Sequence, residues 1–207
     1  MSDAEVREAY MQQLLFLVII GGFFGRSFLA QGPDTNACRV TIEQFAIRGL
    51  KLGMTPSQVL DVLPTGGDKE DLAGRANSPN RDDLASLEYY PSTYGNPTQF
   101  VGVYRMVLFF YRGTLADFTI YYSSPNQGGV SWPNLDAYIS KIAEGLRLPG
   151  PQAWISGPHN ERVLKCAGLE LQVADTNHLR IMKLGFPDEI ESRKKAEEDK
   201  KRQAFHP

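Results

Sequence analysis

Cysteine and histidine are scarce in this chain of 207 residues, and 2 Cys with 3 His leave little material for a metal centre. Neither cysteine has a CxxC neighbour or ligand spacing, which excludes the usual zinc and dithiol redox motifs. Charge of one sign is lacking as well. With 22 basic and 24 acidic side chains the net charge is −2, so no overall attraction for nucleic acid or anionic lipid is expected. A Gly-rich phosphate loop, an H-E-x-x-H pattern and a nucleophile elbow are all absent. No apolar run reaches the roughly 20 residues that span a bilayer unaided. What is present is ordinary globular composition, 42% apolar and 22% charged, which excludes a disordered or polytopic chain. The length suits one domain with appendages.

The most apolar stretch is Leu14, Leu15, Phe16, Leu17, Val18, Ile19, Ile20, Gly21, Gly22, Phe23 and Phe24. Extended from Gln12 to Ala30, with Arg26 reaching for the headgroups, it becomes long enough for a tilted membrane helix. A secretory signal fits the run length, but Asp3, Glu5 and Glu8 stand against Arg7 where a positive region belongs. Gly25-Arg26-Ser27 is the best of its weak cleavage sites. An uncleaved anchor, a cleaved signal and a buried core helix are the three readings, and the anchor is preferred. Cys38 and Cys166 bear on the same question. Paired, they close a loop of 128 residues, worth roughly 5 kcal/mol at best in the chain-entropy model. Two free buried cysteines are the alternative.

After a Gly-Pro linker at 31–34, alternating apolar and β-branched residues at 41–52 predict a strand, broken by Gly53. Thr55, Pro56 and Gln58 then form a T-x-x-Q capping box with Pro at the first helical position. A short apolar helix follows, ended by Pro64. The polar stretch 65–86 reads as an insertion, with a binding loop or lid as the functional alternative. Strands are expected at 87–90, 101–111 and 115–122, the last two joined by a turn at Arg112-Gly113-Thr114. Asn134 caps a second helix whose stripe is Leu135, Tyr138, Ile139, Ile142 and Leu146. A meander follows at 162–166, 169–173 and 179–184. The segment from Asp188 is a charged tail, either a solvated helix or a frayed end. The expected organisation is an N-terminal tail and hydrophobic segment at 1–33, a domain at 38–187 and the tail at 188–207. The expected fold is α+β, an antiparallel sheet with helices packed on one face, preceded by an N-terminal hydrophobic helix. A weak duplication, each half running from helix to antiparallel strands, hints at two tandem units.

The run Ile47-Arg48-Gly49-Leu50-Lys51-Leu52-Gly53-Met54-Thr55-Pro56-Ser57-Gln58-Val59, with Leu63, resembles the opening of small bacterial envelope domains. These are the outer-membrane-assembly lipoproteins of the BamE (SmpA) kind and the tandem fold of β-lactamase-inhibitor proteins. The hairpin around Phe109, Phe110, Tyr111, Arg112, Gly113 and Leu115 is similar to their strand–Gly–strand element. Trp154 and Cys166-Ala167-Gly168-Leu169 look like exported proteins of uncharacterised role. The resemblance implies an envelope location and a non-catalytic role in assembly or protein binding. Cys38 lies well downstream of the hydrophobic run and lacks the Leu of a lipoprotein box.

Chemistry is sparse. His159-Asn160-Glu161 reads as polar loop punctuation, and Asp82-Asp83 lacks the alternating oxygen ligands of an EF-hand loop. No catalytic, cofactor or metal residue is therefore assigned. Seven of the nine tyrosines fall between Tyr89 and Tyr122. Tyrosine joins apolar area to a polar tip, as interaction surfaces require, although it also favours strands. Tyr89, Tyr90 and Tyr94 are the expected partner surface. The expected protein is a membrane-tethered scaffold or assembly factor in the bacterial envelope, its C-terminal domain in the periplasm. Secretion to the periplasm after signal cleavage is the alternative address. Its partners are other envelope or membrane proteins and the lipid bilayer, not nucleic acid. A single-span accessory subunit of a larger energy-transducing membrane complex is the alternative, with Gly21-Gly22 allowing close helix approach. A secreted enzyme or small-ligand binder using the long loop is a third.

Overall fold

The computed structural model describes residues 38–80, 82–94, 100–158 and 160–204. The apolar segment Leu14–Phe24 and His159 lie outside them. Among the described residues no helix is long and apolar enough to cross a membrane.

The protein is α+β: the described residues form five α-helices and a seven-stranded sheet in which every neighbouring pair is antiparallel. Helix α1 (Pro56–Val62) starts as its residues dictate. The Thr55 backbone N–H donates to Gln58 Oε1 at 2.9 Å while the Thr55 hydroxyl accepts from the Gln58 N–H, completing the capping box. Two more helices, α2 (Lys69–Ala76) and the single turn α3 (Pro91–Tyr94), flank strand β1 (Leu84–Tyr89). Strands β2 (Val103–Tyr111) and β3 (Thr114–Tyr122) form the expected hairpin. Helix α4 (Leu135–Leu146) is capped by Asn134, whose Oδ1 accepts from the Ala137 N–H at 2.9 Å. Then come β4 (Ile155–Ser156), β5 (Arg162–Lys165), β6 (Leu169–Val173), β7 (His178–Lys183) and the charged helix α5 (Phe186–Ala204).

Two expectations are corrected. Residues 41–52 do not form a strand. Arg48 and Gly49 both take positive φ, and Ile47 and Leu50 pair across them in a two-residue turn. The apolar residues Phe45, Ile47 and Leu50 enter the core from this irregular segment. The stretch 65–86 is not a structureless insertion either, since it holds α2 and the start of β1. Leu72 and Ala76, one turn apart, are enough to anchor α2 on the core.

Strand order in the sheet is β1-β2-β3-β7-β6-β5-β4, so the chain's two strand groups, β1–β3 and β4–β7, meet through the last strand of each. Alternation sorts the strand residues between two faces. One face carries Leu87, Met106, Leu108, Phe118, Leu171 and Ile181, all wholly buried with Val59, Leu60, Leu72 and Ile139 of the helices. Each such side chain removed from water contributes roughly 1.5–3 kcal/mol. A disulfide between Cys38 and Cys166, with Cα atoms 4.9 Å apart, ties the start of the described chain to the end of β5. The opposite face meets a helix at one end. There Phe186 of α5 packs edge-on against Tyr111, with Ala116, Leu84 and Ile190 beside them.

Candidate functional site

Beyond α5, the second face carries a continuous polar and aromatic row. The register sets Glu88 opposite Val107, Arg105 opposite Tyr121, and Tyr121 opposite His178. Arg105 lies over the Tyr121 ring, 4.3 Å from its centroid, and reaches Glu88 at 3.6 Å. The ring holds the guanidinium by its quadrupole while the carboxylate holds it by charge. The Tyr90 hydroxyl donates to Glu88 Oε2 at 3.0 Å, and its ring meets Tyr104 edge-on with centroids 6.1 Å apart. Tyr104 sits at an irregularity between Val103 and Arg105, which turns it outward to 46% exposure. On the far side of Tyr121, the His178 ring lies tilted against it with centroids 5.6 Å apart, and its Nδ1 lies 2.9 Å from Asp175 Oδ1.

A second row, to which Glu88 and Val107 belong by register although Glu88 reaches across to Arg105, lies one pleat further along. Thr119 faces Arg180, and Arg180 faces Gln172. Arg180 grips Asp117 with Nε and Nη2 in a bidentate pair. Asp117 is 1% exposed, and burial pushes its carboxyl above the usual range against the pull of the guanidinium. Glu170 and Gln172 on β6 are bonded to each other, and Lys165 approaches Glu170 at 3.8 Å. Acidic and basic groups therefore alternate across the face, most of them already held by a neighbour. Among the described contacts His178 meets a carboxylate and an aromatic ring, not a Ser, Thr or Cys nucleophile. No three His, Cys, Asp or Glu residues come together as a metal site among the described residues.

The three tyrosines expected to form a partner surface are divided by the sheet. Tyr89 is wholly buried on the core face, where its hydroxyl donates to the Pro64 carbonyl at 2.5 Å and burial raises its pKa to about 12. Tyr94 stacks on Tyr89 at 5.8 Å and packs at the margin of the core. Tyr90 alone of the three lies on the polar face, as alternation after Tyr89 demands. The residues that accompany it there, Tyr104, Arg105, Tyr121, His178 and Arg180, are not among the expected site residues. Their signal in the sequence is the alternation His178, Arg180, Met182 against Leu179, Ile181. In the comparisons with known proteins, no family model, curated protein or solved structure matches this chain.

Proposed function

We propose that this chain is a non-catalytic, membrane-tethered protein of the bacterial envelope whose α+β domain binds other proteins as a scaffold or assembly factor. The observation that carries the reading is the open sheet face with its row Tyr104, Tyr90, Glu88, Arg105, Tyr121 and His178. Rigid aromatic and Arg groups held by their neighbours lose little side-chain freedom on binding, which suits them as anchors for a partner. Their balanced charge favours a folded protein surface of mixed sign. The strand order supports a finer architecture, two tandem units of helices followed by strands, joined edge to edge through β3 and β7. It accords with the likeness to tandem envelope domains, with α1, α2 and α4 on one face. The Cys38–Cys166 disulfide supports delivery to an oxidising compartment. The apolar segment Leu14–Phe24 supplies the tether in this reading, as an N-terminal hydrophobic helix.

The test is a crosslinked pull-down from native membranes with the full chain and with a Tyr104→Ala, Arg105→Glu variant. Loss of roughly tenfold or more of a captured protein is expected, the scale of an interface hot spot. Equal capture by the variant overturns the sheet face as the binding surface, and points to an accessory subunit held through its membrane segment.

A further inference from the structure

On the other side of the sheet, at the end of β3, the structure leaves a groove of about 800 Å³. Helix α4 turns one stripe to it, Tyr138, Lys141, Ile142, Gly145 and Leu146, which are the positions that helical spacing puts on a common face. Trp132 and Tyr122 close it, their rings 5.7 and 6.3 Å from that of Tyr138. The volume lies within the range of small-molecule sites, and the lining is mostly apolar.

Three further features say what would fill it. Val101 and Val130, on the lips of the groove, are 68% and 64% exposed, so apolar surface continues outward from the groove instead of being sealed. The Tyr138 hydroxyl is buried with no hydrogen-bond partner among the described residues, although the residue is only 3% exposed. A buried hydroxyl left unmatched is costly, and an acceptor brought by a ligand would answer it once the adjoining Trp132 ring gives way. Finally, both charged residues of the lining, Arg48 and Lys141, are cations. Arg48 donates to the Val101 carbonyl at 2.9 Å, and Lys141 bridges to Glu144 at 2.6 Å. The Asp175 charge reaches Tyr138, but neither it nor Glu144 lines the groove.

From this combination we infer that the groove binds an anionic single-chain amphiphile, an acyl chain with a carboxylate or phosphate head. The chain is covered by Ile142, Leu146 and Val130, and the head is taken by Lys141, Arg48 and the Tyr138 hydroxyl. A free fatty acid and a lysophospholipid share this chemistry. The site does not depend on the sheet face, so either assignment can fail without the other.

The test uses the purified full chain and the fluorescence of Trp132, with the buried core residue Trp154 as background. Dodecanoate and lysophosphatidylglycerol are titrated separately, with dodecyltrimethylammonium as the cationic control. Saturable change with one or both anions is expected, and which of them acts identifies the source. Gly145 offers a clean block: a Cβ built there meets nothing within 4 Å, so Gly145→Leu extends a side chain into open space from a helical position that favours Leu over Gly. This variant is expected to keep its melting temperature and to weaken binding roughly tenfold or more. Tyr138→Phe is expected to weaken the anion about threefold to tenfold without loss of stability, because it removes an unmatched hydroxyl. Binding unchanged in Gly145→Leu, or the cation bound as tightly as the anions, overturns the assignment.

Discussion

Two polar side chains illustrate what burial does to a single residue. Tyr89 has its ring in the core and its hydroxyl on the Pro64 carbonyl. Tyr89→Phe removes one hydrogen bond and leaves an unmatched carbonyl, a loss of about 1 kcal/mol in denaturant melts. The same substitution has a pH signature. Because burial raises the Tyr89 pKa from 10.0 to about 12, the folded state holds its proton where the unfolded state releases it. The stability it contributes is complete below pH 10 and is lost as pH climbs through about 12. Alkaline unfolding of the Phe variant should accordingly be less steep in that window. Asp117 gives a second prediction. Its carboxyl is sealed at 1% exposure and gripped by Arg180, whose side chain is 38% exposed. Arg180→Ala strands the carboxylate, at a cost of about 2–3 kcal/mol after allowing for the water that reaches the arginine. A carboxyl whose pKa is already raised above 3.8 by burial favours the protonated fold. The variant's deficit should shrink on moving from neutral to mildly acidic pH, and a deficit independent of pH would mean that lost packing dominates.

At the scale of the element, the same dipeptide was legible once and hidden once. Arg112-Gly113 lies between two strongly apolar strands and reads as a hairpin turn. Arg48-Gly49 makes the same kind of turn, with φ of 52° and 87°, yet its flanks Ile47 and Leu50 pair by a single bridge. Its surroundings alternate like a strand, so periodicity overrules the turn signal. Helix α2 was hidden for a related reason: four of its eight residues are charged, one is Gly, and two buried positions carry its docking. The capping box of α1, the Asn134 cap of α4 and the meander β5–β7 were legible because cap chemistry and alternation are local. The polar row across β1, β2, β3 and β7 was not, since it is assembled by strand order, and strand order is non-local. Glycine substitutions separate the two turns. Gly49→Ala puts a Cβ 2.8 Å from Val62 Cγ1 at positive φ, so the stiff Val62 side chain or the end of α1 must shift, and a loss of about 2–3 kcal/mol is expected. Gly113→Ala meets nothing within 4 Å and pays the backbone term alone, about 1 kcal/mol. Paired thermal melts compare them directly, and equal losses would mean that the contact with α1 carries no weight.

For the described chain as a whole, the disulfide is the longest-range covalent constraint, joining residues separated by 128 positions. The irregular segment 38–50 has few ladder bonds of its own, and beyond the bridge Thr41–Ala167 it is held by Phe45, Ile47 and Leu50 in the core. Reduction frees that segment from β5 and enlarges the unfolded ensemble. The chain-entropy model puts the cost at about 5 kcal/mol, less whatever structure the reduced unfolded chain retains. Since ordinary domains are stable by about 5–15 kcal/mol, such a loss decides whether the fold persists in a reducing compartment. The expected outcome is that the oxidised protein resists thiol labelling without reductant, and that Cys38→Ser, Cys166→Ser melts well below it. In the double variant the freed segment also uncovers Leu50 and the adjoining face of α1, so proteolytic nicking should begin between residues 38 and 54. A double variant with unchanged melting temperature and unchanged cleavage would show that the core alone, through Phe45, Ile47 and Leu50, holds this segment in place without the disulfide.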